Sequence, residues 1–132
     1  MRFILFVALV NGVFWAACHS AKPFVSPTAS VSVEEAYRLT QKGVLLIDVR
    51  EPDEVADVAY RVKNYRNVPL SQLESRMKEI PRDQQVILAC RSGNRSRRAY
   101  EQLAAQGYQN LANMEGGMLA WEARNLPVTR KE

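Results

Sequence analysis

Cys90 sits between an apolar run and a cluster of arginines in the stretch ILACRSGNRSRRAY, residues 87–100. A cysteine reacts as the thiolate, so its surroundings decide what it can do. A cysteine that leaves a strand and enters a tight, glycine-containing loop before a helix can be ringed by inward-facing backbone N–H groups, with the helix N-terminus behind them. Such a nest favours anions, and thiols in electropositive sites of this kind ionise well below their ordinary value of about 8.5. Cys90 is therefore expected to be largely thiolate at neutral pH.

The rest of the chain narrows the chemistry. The sole histidine, His19, lies far from Cys90 in sequence, next to the second cysteine, Cys18. A Cys-His dyad is thereby excluded, and activation falls to amides and arginines. Two cysteines and one histidine leave a metal cluster or a disulfide framework almost no ligands, and no metal is expected. If Cys18 is acylated, Cys90 has no intramolecular partner for a thioredoxin-like cycle. Whatever it captures must pass to an external acceptor.

The chain of 132 residues, 47% hydrophobic and 24% charged, suits one small globular domain. Eighteen Lys and Arg against fourteen Asp and Glu give a net charge of +4, a modest excess that fits anionic ligands without demanding nucleic acid. The opening MRFILFVALVNGVFWAAC has the layout of an export signal: Arg2, an apolar run, then small residues before Cys18. The run is shorter than the ~20 apolar residues of a membrane-spanning helix and is interrupted by Asn11 and Gly12. WAAC resembles the lipobox of bacterial lipoproteins, with Trp15 where an aliphatic residue is usual. Lipidation of Cys18 is the favoured outcome, beside ordinary cleavage and an uncleaved anchor. All three export the domain, to the periplasm or to a membrane-anchored position. Residues 1–17 thus read as signal peptide, 18–29 as a proline-containing tether, and 30–132 as the folded domain.

Strand and helix patterns alternate within that domain. SVEE, residues 32–35, is a capping box opening a helix that Gly43 closes. VLLID, residues 44–48, is a continuous apolar run suited to a strand buried on both faces. Pro52 can start a short helix, and SQLE, residues 71–74, is a second capping box whose helix Pro81 stops. The strand VILAC follows at 86–90, then a helix from about 95 to 106, a strand at 110–114 and a last helix holding MLAWEARN. This order predicts an α/β fold: a small parallel sheet with helices on both faces and a ligand site beyond the carboxyl ends of the strands. Cys90 falls at such an end. Leu119 and Trp121 are expected in the core of the last helix.

LIDVREPDE (46–54), NVPLSQL (67–73), CRSGNRS (90–96) and NMEGGMLAWEARNLPV (113–128) together resemble a single-domain rhodanese, a thiosulfate sulfurtransferase. The resemblance runs from about Ser30 to Val128, and the cysteine loop and the Gly116-Gly117 to Trp121 segment carry most of it. It implies that Cys90 takes a sulfane sulfur from thiosulfate or another donor, becomes a persulfide, and passes the outer sulfur to cyanide or a thiol. It also implies that the six residues from Cys90 to Arg95 form the anion cradle. Physical chemistry fits each position. Arg91, Arg95 and the loop amides can offset the charge of the incoming dianion. Ser92 and Asn94 can make polar contacts or hold the turn, and Gly93 lets the loop curl. Asp48 and Arg50 match the family's DVR and are expected to pair or to bond loop amides in a supporting role. Arg97 and Arg98 are expected to be solvated.

One segment departs from the family. AYRVKNYRN, residues 59–67, replaces a usual GHIPGA stretch. Its Tyr60, Arg61, Lys63, Tyr65 and Arg66 interleave rings and cations, as a nucleic-acid surface would. A solvated edge is the simpler expectation, since no nucleic-acid motif accompanies them. Two rival functions remain open: a non-catalytic rhodanese-like binding module or sulfur carrier, and a phosphatase or arsenate reductase. The last class carries arginine six residues after its cysteine, where this chain has Ser96.

Overall fold

A computed structural model describes residues 29–132. Residues 1–28, which hold Cys18 and the stretches expected to be an export signal and most of a tether, lie outside the described residues. Chain order gives β1 (Ser30–Val31), α1 (Val33–Gln41), β2 (Leu45–Asp48), α2 (Pro52–Asp57), β3 (Val58–Tyr60), β4 (Tyr65–Asn67), β5 (Val86–Ala89), α3 (Asn94–Ala105), β6 (Leu111–Met114), α4 (Gly117–Ala123) and β7 (Val128–Arg130). Five strands form one sheet in the order β1-β6-β5-β2-β4, every pairing in it parallel. β3 and β7 form a small antiparallel pair beside it. This is the α/β architecture expected.

The apolar runs of β2 and β5 are continuous because both faces of the sheet are covered. Side chains alternate between those faces. Leu45, Ile47, Val86, Leu88 and Cys90 join the core that includes Ala99 and Leu103 of α3. Leu46, Ile87, Ala89 and Met114 join the opposite core, with Val33 and Ala36 of α1 and Met118 and Trp121 of α4. Asp48 stands opposite Ala89 in the ladder, so β2 and β5 end level with each other. Their outgoing segments, Val49–Arg50 and Cys90–Arg91, consequently share one end of the sheet, and β5 is its central strand.

Several expectations need correcting. The SQLE capping box does not open an α-helix: residues 70–72 and 77–79 form single 3-10 turns, with Leu73 and Ile80 buried beneath them. Leu70, Leu73, Met77 and Ile80 keep the spacing of an apolar helical stripe and pack on the core, but the backbone takes only these two short turns. Trp121 is fully buried, but Leu119 is 48% exposed, on the far side of α4. Ala29, the last residue assigned to the tether, is buried and its carbonyl accepts the Asn113 N–H at 2.9 Å. The segment 59–67 is only partly a solvated edge. It contributes β3 and β4; Arg61, Lys63 and Arg66 face solvent, whereas Tyr60 is buried and Tyr65 half-buried.

Candidate active site

β5 ends at Ala89, and the chain then turns around the sulfur of Cys90 before entering α3. The Gly93 N–H donates to Cys90 Sγ at 3.0 Å, and the Ser96 hydroxyl lies 3.4 Å from the same sulfur. Gly93 makes the turn at φ +97°, in the left-handed region that side chains resist. A Cβ there would also stand 3.1 Å from the Gly116 backbone nitrogen. Cys90 is fully buried beneath the loop. That burial works to raise its pKa, yet the Ser96 hydroxyl and the amides of Ser96, Gly93 and Ser92 outweigh it and leave the thiol below its ordinary value. The amides of Ser92, Gly93 and Ser96 and the Ser96 hydroxyl thus face the sulfur.

The start of α4 shapes this loop from behind. Its Met118 and Leu119 amides donate to the carbonyls of Cys90 and Arg91, at 2.9 and 3.0 Å. In a planar trans peptide the N–H opposes the C=O, so holding the Arg91 carbonyl toward α4 turns the Ser92 N–H the other way, to the sulfur. Gly117 makes the approach possible. A Cβ on it would sit 2.5 Å from Arg91 C, Arg91 O and Cys90 O. The paired glycines of EGGM are thus the close-contact point between α4 and the cysteine loop.

Of the residues assigned to the cradle, Arg91, Ser92 and Asn94 are exposed at its outer face, and Gly93 is buried in its wall. Arg95 departs from expectation. Both its terminal nitrogens meet the Glu54 carboxylate, at 2.6 and 2.7 Å, so its charge is largely offset before any anion arrives. The Arg95 contact in turn holds the Glu54 carboxyl down at about 2. Among the described residues Arg91 has no ion-pair partner, so it is the cation of the loop whose charge is not offset there. Arg97 and Arg98 face solvent, as expected.

Asp48 and Arg50 do pair, almost entirely out of water, with Arg50 Nη2 at 2.7 Å from Asp48 Oδ2. Arg50 Nη2 also donates to the Val58 carbonyl at 2.9 Å, and the Arg50 backbone N–H donates to Asp48 Oδ1 at 3.1 Å. The Tyr65 hydroxyl donates to Asp48 Oδ2 at 2.9 Å. Asn67 Nδ2 donates to the carbonyls of Asp48 and Arg50, each at 2.8 Å. The pair bonds no cradle amide; it fixes the neighbouring strand end.

Sequence reasoning did not find Glu54, Ser96, Tyr60, Tyr65 or Asn113 as parts of the site. Asn113 Nδ2 donates to the Gly93 carbonyl at 3.3 Å, and the Ser96 hydroxyl lies within reach of both that carbonyl, at 3.2 Å, and the sulfur, at 3.4 Å. A signal existed for Ser96, a small hydroxyl residue in the first turn of α3, and for Asn113, a polar residue inside an otherwise apolar strand. Nothing local marked Glu54 as the partner of a residue 41 positions away.

A rhodanese-like domain model matches residues 32–124. A sulfurtransferase of Allochromatium vinosum is 39% identical over 91 residues, spanning 69% of this chain and 83% of that protein. The crystal structure of a rhodanese-related protein from Thermoplasma volcanium matches with a TM-score of 0.69 at 32% identity, over 78% of this chain and 99% of that one. The solution structure of a polysulfide-sulfur transferase homodimer from Wolinella succinogenes matches with a TM-score of 0.70 at 30% identity, over 80% of each chain. With the cysteine loop at the carboxyl end of the central strand and sulfurtransferases among its relatives, the chain belongs to the rhodanese-like domain family.

Proposed function

We propose that this protein is a sulfurtransferase that carries a sulfane sulfur on Cys90, drawn from thiosulfate or a persulfide. The observation that carries the reading is the hydrogen bonding of Cys90 Sγ by the Gly93 amide and the Ser96 hydroxyl, which favours the thiolate despite burial. The Cys90 thiolate attacks the outer sulfur of thiosulfate; an S–S bond forms, the sulfur–sulfur bond of thiosulfate breaks, and sulfite leaves with the electron pair. The cradle then holds the persulfide anion. Cyanide or a thiolate attacks the outer sulfur, takes it as thiocyanate or as a new persulfide, and returns Cys90 to the thiolate. No proton donor is required in either half, which suits a loop without histidine.

Within this reading the loop amides and Arg91 receive the dianion, while Ser92 and Asn94 line the face it meets first. Arg95 organises α2 against the loop through Glu54 and supplies little free charge. The arrangement suits phosphoryl transfer poorly. The position that brings arginine to the oxyanion in phosphatases is Ser96, buried with its hydroxyl beside the sulfur. Export, and anchoring through lipidated Cys18, belong to the same proposal and rest on the first eighteen residues; labelling with a fatty-acid analogue tests them, with Cys18→Ala as the unlabelled control.

Thiocyanate measured after adding thiosulfate and cyanide tests the activity. Turnover that disappears in Cys90→Ser is the expected result. A native protein that yields no thiocyanate, with thiosulfate or with a polysulfide donor, would support the binding-module alternative; release of phosphate from an aryl phosphate would support the phosphatase.

A further inference from the structure

Tyr60 ends β3, and its side chain reaches the backbone of the cysteine directly. Its hydroxyl donates to the Cys90 carbonyl at 2.5 Å, across 30 positions of sequence. Its ring is held on two sides: it meets Trp121 edge-on with centroids 5.1 Å apart, and the Arg50 guanidinium carbon lies 5.2 Å from its centre. The residue is buried, and burial raises its pKa, so the hydroxyl stays protonated and serves as a donor. The Cys90 carbonyl therefore accepts two bonds, from Tyr60 and from the Met118 amide.

That carbonyl is the negative end of the peptide unit nearest the sulfur. The positive hydrogens of its two donors offset the field of that oxygen, and they fix the peptide plane at the point where the strand becomes the loop. Because N–H and C=O oppose each other across a trans peptide, the same contact turns the Arg91 amide away from Tyr60. We propose that Tyr60 is a positioning residue for Cys90, holding its carbonyl away from the sulfur so that the thiolate is favoured and the cradle keeps its geometry. The proposal rests on Cys90 as the sulfur carrier, but its test reads ionisation and is independent of turnover.

The experiment follows alkylation of Cys90 in the full chain against pH, scored on the Cys90 peptide so that Cys18 does not contribute. Tyr60→Phe keeps the ring and its contacts and removes only the hydroxyl. It should move the alkylation midpoint upward and slow alkylation at pH 7 roughly two- to fivefold. Tyr65→Phe removes the hydroxyl that bonds Asp48 and touches no atom of Cys90, so the midpoint should stay at the native value. A fluorinated tyrosine at position 60, a stronger donor of nearly the same shape, should move the midpoint downward and serves if Tyr60→Phe fails to fold. The proposal is overturned if Tyr60→Phe melts earlier while the midpoint stays put, if both phenylalanine variants shift it equally, or if the fluorinated residue leaves it unchanged. Sulfur loading from thiosulfate by the native protein is scored separately, so its absence would count against the sulfurtransferase reading alone.

Discussion

Two arginine–carboxylate pairs flank the same cysteine loop, and they do different work because they lie at different depths. Asp48–Arg50 is sealed at the end of β2, its side chains 0% and 2% exposed. Glu54–Arg95 joins α2 to the start of α3 with 29% and 31% exposed. The inner pair is surrounded by partners: Tyr65 on Asp48, the Val58 carbonyl on Arg50, and Tyr60 beside its guanidinium. A charge stranded there has no water to turn to. The outer pair touches solvent, so either partner can lose the other at small cost. Depth thus separates a pair that holds the scaffold from one that tunes the charge at the mouth of the site.

The strongest way to break this comparison is Arg50→Ala, which leaves the Asp48 carboxylate buried with Tyr65 as its remaining side-chain partner. It should destabilise the domain by about 3–5 kcal/mol, measured by urea or thermal unfolding. A loss no larger than that caused by Arg95→Ala would erase the distinction.

A subtler contrast comes from Glu54→Gln, which should change stability by less than about 1 kcal/mol while freeing the Arg95 charge beside the loop. In steady-state kinetics the thiosulfate KM should fall several-fold, and the rate should become more sensitive to added salt. An unchanged KM and salt response would show that Arg95 does not feel the donor.

The smallest effect is in acid. Glu54 is held at about 2 against an ordinary 4.5. A lowered carboxyl contributes its stability fully above its unfolded value and loses it as pH falls toward the folded one. Native protein should therefore lose stability between about pH 4.5 and about 2 slightly more steeply than Glu54→Gln, a difference that paired melting curves can resolve. Solvent contact at the outer pair keeps that difference small.

The parts of the molecule legible in the sequence are those governed by neighbours along the chain. VLLID and VILAC are apolar throughout because both sheet faces are covered, and the structure gives strands within one residue of them. The Ser32 cap is local too, its hydroxyl accepting the Glu35 N–H at 3.2 Å. The Glu35 side chain pairs with Arg38 instead of closing the box, while the box that closes on both sides is Glu51–Glu54, at the head of α2. Gly93 and the cysteine were readable because a tight turn before a helix writes itself into adjacent residues.

Long-range partners were not readable in this way. Glu54 finds Arg95, and Tyr60 finds the Cys90 carbonyl, only once the sheet has brought the strand ends together. Alternating rings and cations in AYRVKNYRN suggested one solvated edge. In the fold, Tyr60 packs inward, Tyr65 bonds Asp48, and the cations between them face water. Local pattern located the proposed nucleophile, Cys90, whereas topology chose the groups that surround it.

Peptide mass spectrometry of the native protein after brief exposure to thiosulfate measures the central chemistry most directly. The account predicts one added sulfur atom on the peptide holding Cys90, lost on treatment with cyanide and absent when residue 90 is serine. A Cys90 peptide that stays unmodified with thiosulfate and with a polysulfide, in protein whose Cys90 alkylates readily at neutral pH, would contradict it.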